Sequence, residues 1–223
     1  MLSHIDSWIF DLDNTLYPAS ASLFPQIDAK MGAYIQRLLN IGQPEAYRIQ
    51  KGFFHSHGMT LPGLMAEHGV DPHEFLADVH DVDVDVGVIA DAPLIRDALA
   101  RLPGRKFVFT NADAPYATRV LARLGLSDSF DALHDIHALG YVPKPQAPAY
   151  ASMCAVHDID PTRAVFVEDM ARNLVPAKAI GMTTVWIDNG SEQGPGERRD
   201  HIDITIADVG SWLATVMTSL ELP

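Results

Sequence analysis

Two aspartates one residue apart, Asp11 and Asp13, follow the apolar run that ends at Phe10. Carboxylates at this spacing on a strand end can point toward one mouth, so that one attacks an electrophile while the other moves a proton. Complementary groups come later in the chain: Thr110 and Asn111 after the run 106–109, Lys144 within Val142-Pro143-Lys144-Pro145, and Glu168 with Asp169 after the run 164–167. A further acid converging on the first two makes an oxygen-only site, which suits Mg²⁺ better than a metal that seeks nitrogen and sulfur. Lys144 adds a positive charge, and Thr110 with neighbouring backbone amides can hydrogen-bond phosphoryl oxygens. The chemistry this set points to is phosphoryl transfer.

These residues matter together only if a fold brings them to one place. The runs 5–10, 106–110, 164–167 and 183–187 lack polar alternation and read as strands buried on both faces. Between and after them, apolar residues at helical spacing mark 93–102, 114–124, 148–156, 171–180 and 209–220. Alternation of this kind predicts an α/β fold: a Rossmann-like parallel sheet core flanked by helices, with ligands beyond the carboxyl ends of the strands. Residues 19–88 show helical periodicity without a convincing strand. They are expected to form an all-helical cap inserted after the first strand, leaving 1–18 and 89–223 as the catalytic core. The stretch 189–197 reads as an exposed loop.

Composition narrows the partners. The chain has 223 residues, with 16 basic against 29 acidic side chains and a formal net charge of −13. That balance, with its scattered cations, argues against nucleic-acid binding. Asp6, Asp11 and Asp13 interrupt any apolar signal segment, and no stretch approaches the roughly 18 apolar residues of a membrane span. Cys154 is the single cysteine, so no intramolecular disulfide is possible. A cytoplasmic monomer or weak homo-oligomer is expected, acting on a small phosphorylated metabolite. A local pocket of metal and lysine would let so acidic a protein bind an anion.

The motifs Asp11-Leu12-Asp13-Asn14-Thr15, Thr110-Asn111, Lys144-Pro145 and Glu168-Asp169 occur in an order that resembles the haloacid dehalogenase-like hydrolase superfamily. The longer fragments 10–17, 109–111, 143–145 and 167–174 are most similar to its pyrimidine 5′-nucleotidase branch. The resemblance implies Asp11 as a nucleophile forming an aspartyl-phosphate and Asp13 as the acid and base. It implies Mg²⁺ on Asp11, the Asp13 main-chain carbonyl and Asp169, with Glu168 in the outer shell. Thr110, Asn111 and Lys144 would hold the phosphate. Dehalogenases of the superfamily lack an acid at the position of Asp13, so dehalogenation is disfavoured. A nucleoside 5′-monophosphate, a pyrimidine nucleotide in particular, is the implied substrate; a sugar-phosphate phosphatase, a phosphomutase or a phosphoryl-accepting regulatory module are the alternatives.

Within the helical segment, His57-Gly58-Met59-Thr60-Leu61 is similar to a cap segment of that branch and nominates His57, Met59 and Thr60 as substrate contacts. The branch is expected to place an aromatic before the glycine, and His57 and Met59 depart from its pattern. Other acids and histidines have simpler readings. Asn111 could instead cap the following helix, and Asn173 could contact the acidic loop or merely pack. The pairs His55/His57 and His134/His137 lack the spacing of a zinc site. The run 81–85 alternates acids without the glycine and glutamate of a calcium loop, and is expected to be a solvated return from cap to core.

Overall fold

The computed structural model describes residues 2–84, 92–190 and 198–221. Six parallel strands form one sheet in the order β3-β2-β1-β4-β5-β6. They are β1 (Ser7–Phe10), β2 (Arg105–Phe109), β3 (Ala132–His134), β4 (Ala164–Glu168), β5 (Thr183–Ile187) and β6 (Ile204–Ile206). The central strand β1 is buried at every residue. It pairs on one side with β2 and on the other with β4, so that Phe10 lies between Val108 and Val167. Strand order reverses direction at β1, which opens a crevice at its carboxyl end.

Alternating side chains divide the interior between the two faces of the sheet, as the period of a strand requires. Trp8, Phe10, Val108, Val165 and Val167 pack with α5 (Pro93–Arg101), α6 (Ala114–Arg123) and α9 (Val209–Glu221). Ile9, Phe107, Phe109 and Phe166 pack with α7 (Ala147–His157) and α8 (Ala171–Ala179). All five core helices therefore fall where their apolar spacing places them. The edge strands β3 and β6 are not legible in the sequence, because each has only three residues and is largely half-exposed. Neither produces a buried apolar run.

Between β1 and α5 lie α1 (Leu23–Leu39), α2 (Gln43–His57), α3 (Thr60–His68) and α4 (Pro72–Val79). Among the described residues of 19–84 there is no strand. Leu23 and Ile27 of α1 pack into one core cluster, and Tyr34, Phe53, Leu64 and Phe75 into the other. Asp71 caps α4 by accepting from the amides of His73 and Glu74. Residues 81–84 form no strand, and Asp81 pairs with Lys30 at 2.9 Å. Asp85, the expected boundary at 88/89, and 191–197 of the expected loop lie outside the described residues.

Candidate active site

The backbone carries the sheet pattern slightly past the strands: the Asp11 amide donates to Val167 O at 2.9 Å and the Thr110 amide to His134 O at 3.1 Å. Asp11 and Thr110 are therefore fixed at the crevice by the ladder itself. Glu168 is the last residue of β4, and Asp169 follows it. Lys144 enters from the loop between β3 and α7 and is 1% exposed. Its ammonium donates to Asp11 Oδ1 at 2.7 Å, Glu168 Oε2 at 2.8 Å and Phe109 O at 2.8 Å. Three bonds satisfy all three donors of a lysine, which is what makes its burial tolerable. The rings of Phe109 and Phe166 flank it, 5.1 and 5.2 Å from Nζ to the ring centres.

One cation does not balance the acids. Carboxylate oxygens of Asp11, Glu168 and Asp169 lie within 4.8 Å of one another, and all three residues are buried. Two like charges at that distance repel by about 3 kcal/mol even at an effective dielectric constant near 20. Burial, then Glu168, pushes the Asp11 carboxyl up to about 7 against the opposing pull of Lys144. Burial and the charges of Glu168 and Asp11 push Asp169 up to about 9. Burial works against the charge of Lys144, but its two carboxylate partners outweigh that and raise it. A group of hard oxygen donors with uncompensated negative charge fits a divalent cation, and includes no nitrogen or sulfur ligand that would favour a softer one.

Asp13 lies in a different setting. It is half-exposed, at the turn after β1, and does not contribute its side chain to the three-acid group. Its Oδ1 accepts hydrogen bonds from Tyr17 OH and, at 2.6 Å, from Tyr116 OH on α6. Burial and the neighbouring Asp13 charge push both phenols above their ordinary value, so both remain protonated donors. Asp11, by contrast, receives Lys144 on Oδ1 and the Thr15 hydroxyl on Oδ2 at 3.1 Å.

Thr110 is buried, and its hydroxyl oxygen accepts from the Ala112 amide at 3.0 Å. Asn111 does not cap the following helix. Its side chain clasps the Lys144 peptide, with Nδ2 donating to Lys144 O at 3.1 Å and Oδ1 accepting from the Lys144 amide at 2.9 Å. It thus holds the loop that carries the lysine, while Asp113 is the residue that caps α6. Asn173 is buried, and its Oδ1 has no hydrogen-bond partner. Sequence pattern does not single out Tyr17, Tyr116 or Asp113; Tyr116, on the apolar face of α6, reads there as core.

The helical segment reaches the site through one turn. His57 ends α2, Gly58 follows with φ +88°, and Met59 precedes α3. A Cβ at Gly58 would lie 3.4 Å from Pro145 and 3.5 Å from Lys144 O, so the turn rests on the lysine loop. Gly58 O accepts from Arg172 at 3.0 Å and His57 O from Gln146 at 3.2 Å. The Arg172 guanidinium also stacks 4.2 Å from the Phe54 ring centre. His57 and Met59 are half-buried at this lip. Thr60 is buried, and its hydroxyl donates to Gln50 O at 3.4 Å, which joins α3 to α2.

Residues 5–181 match the haloacid dehalogenase-like hydrolase family. The chain belongs to that family. Phosphate metabolism protein 8 of Saccharomyces cerevisiae is 23% identical over 192 residues, covering 78% of this chain and 59% of the yeast protein. The chain thus spans less than two thirds of that relative. Among solved structures, a HAD phosphatase from Thermococcus onnurineus matches with a TM-score of 0.60 at 20% identity, over 97% of this chain and 98% of that one. An L-2-haloacid dehalogenase from Xanthobacter autotrophicus with chloropropionic acid covalently bound matches with 0.56 at 18%, over 96% and 98%. YfnB of Bacillus subtilis, solved with magnesium, matches with 0.60 at 14%, over 98% and 99%. This HAD-like hydrolase therefore shares its fold with phosphatases and dehalogenases alike. No described helix is long and apolar enough to cross a membrane.

Proposed function

We propose that this HAD-like hydrolase is a Mg²⁺-dependent phosphomonoesterase working through an aspartyl-phosphate, with nucleoside 5′-monophosphates, pyrimidine ones in particular, as substrates. The observation that carries the reading is the contrast between two neighbouring carboxyls: Asp11 is buried on Lys144, while Asp13 is half-exposed on two phenols. Two acids in different environments divide the labour of nucleophile and proton carrier. The names of the yeast relative and of the archaeal phosphatase agree with phosphate chemistry.

Asp11, Asp169 and the Asp13 carbonyl would hold Mg²⁺, with Glu168 in the outer shell; when bound, the ion neutralises the cluster and draws charge from the phosphoryl oxygens. Lys144 and Thr15 orient the Asp11 carboxylate. Its oxygen attacks phosphorus as the ester P–O bond breaks; the bonding pair goes to the leaving oxygen, which takes the proton of the Asp13 carboxyl. Asp13, now a carboxylate, accepts a proton from the water that attacks phosphorus next. The P–O bond to Asp11 then breaks, its electron pair returns to that carboxylate, and inorganic phosphate leaves with Asp13 again protonated. His57 and Met59 would meet the leaving group from the turn that rests on the lysine loop.

Phosphate release from UMP, CMP and sugar phosphates, with Mg²⁺ and with chelator, tests the reading. Asp11→Asn and Asp13→Asn are each expected to lose at least about 10²-fold in turnover. Full activity of Asp11→Asn refutes the nucleophile. Equal preference for sugar phosphates removes the nucleotide assignment alone, and conversion of substrate without net phosphate release identifies a mutase.

A further inference from the structure

We propose that Tyr17 and Tyr116 are positioning residues that aim the proton-carrying oxygen of Asp13 at the leaving group, an inference that rests on the phosphomonoesterase reading. Both phenols donate to one oxygen, Oδ1. They are themselves adjacent, 3.3 Å between hydroxyl oxygens, and both are buried, at 2% and 0% exposure. A carboxyl oxygen has two lone pairs in the carboxyl plane, and two donors on Oδ1 occupy both. The acidic hydrogen of Asp13 must then reside on Oδ2. The same two bonds fix the carboxyl plane from different parts of the chain: Tyr17 is 4 residues from Asp13 and Tyr116 is 103 away. Without them Asp13, half-exposed on a turn, is free to rotate and to carry its proton on either oxygen.

The surroundings hold Tyr116 in place by its ring. His80 stacks on it at 4.6 Å and 20° between planes, and His80 Nδ1 is bonded to Asp113, the cap of α6, at 2.8 Å. Arg119 of α6 donates to His80 O. The ring is therefore clamped without help from the hydroxyl, and a phenylalanine keeps the packing. The hydroxyl is left with one other task, the bond to Asp13 and its partner phenol.

The role acts on one step only. When the ester P–O bond breaks, the Oδ2 proton passes to the leaving oxygen, and the O–H bonding pair stays on Asp13. An alkoxide leaving group needs that proton, whereas p-nitrophenolate is stable enough to leave without it. Because kcat/KM reports steps up to the first irreversible one, comparing the two ester types isolates phosphoryl transfer to Asp11 from the later hydrolysis.

The experiment measures kcat/KM of the full chain with Mg²⁺ on UMP and β-glycerophosphate, against p-nitrophenyl phosphate, for Tyr17→Phe, Tyr116→Phe and the double variant. The double variant should lose about tenfold more on the alkyl esters than on the aryl ester. Each single variant keeps one donor on Oδ1 and should lose less than half as much on a logarithmic scale. Losses equal on both ester types, or no loss, overturn the proposal, since a purely structural role lowers all substrates together. If the double variant does not fold, the single variants carry the same ratio test at smaller amplitude. A parent protein that releases no phosphate from any of the esters removes the phosphomonoesterase reading, and this one with it.

Discussion

At the strand ends, polar groups meet across long stretches of sequence and out of water; in the helical segment, charges meet on the surface. Lys144 reaches Asp11 over 133 residues and Glu168 over 24, and the lysine and glutamate side chains are each 1% exposed. In α1–α4 the ion pairs Arg48–Glu45 and Arg37–Asp78 join side chains that are 40% exposed or more. Surface pairs of this kind contribute little, whereas removing one partner from a buried set leaves a charge that nothing solvates. The difference teaches where each region keeps its stability. The strand-end site is held by compensated charge, with one cation too few; the helices are held by shape.

Replacing the buried cation tests the first half of that contrast most severely. Lys144→Met should destabilise the protein by about 3–5 kcal/mol in urea unfolding, because Asp11 and Glu168 lose their common partner. A loss no larger than that of a surface pair breaks the comparison. For the helices the corresponding test is steric. Gly63 of α3 lies against Phe53 of α2, so closely that an added Cβ would overlap the ring. Gly63→Ala should cost about 1–3 kcal/mol through overpacking, with no dependence on salt. An unchanged urea midpoint would mean that α2 and α3 do not rely on this contact.

The remaining effect has the opposite sign. Asp169, raised to about 9, holds its proton in the folded chain after the unfolded chain has released it. Its contribution to stability is thus present in full below the ordinary carboxylate value, about 4, and is lost as pH rises toward about 9. In chelator at pH 8, Asp169→Asn should therefore stabilise the protein and flatten the fall of stability with pH, as urea unfolding across pH would read. Destabilisation by this change would show that the three acids are not in electrostatic excess.

Much of the site is visible in the sequence because of where its residues stand. Asp11, Thr110 and Asp169 each follow directly on a buried strand, and Lys144 lies between two prolines, so polarity at the end of an apolar run marks them. Partners joined only in space leave no such mark. The Asn111 amide pairs with a peptide 33 residues away, a partner that no local pattern announces. Thr60 stands in a motif-like stretch, yet the packing of α3 on α2 takes up its hydroxyl. Strands β3 and β6 are too short and too exposed to show periodicity.

The chain order of the four longer strands and the core helices, the helical character of the insert and the polar residues at the strand ends follow from sequence alone, because hydrophobic periodicity and chain order are local properties. Tertiary structure decides which atoms meet. Asp11 and Asp13 are the same residue type two positions apart, and their motif distinguishes them only by resemblance, not by any contact it shows. Folding gives the first a buried ammonium and the second two phenols, one of them from a helix 103 residues on. The chemistry of a carboxyl is set by its burial and by what donates to it, and both exist only once distant segments pack together.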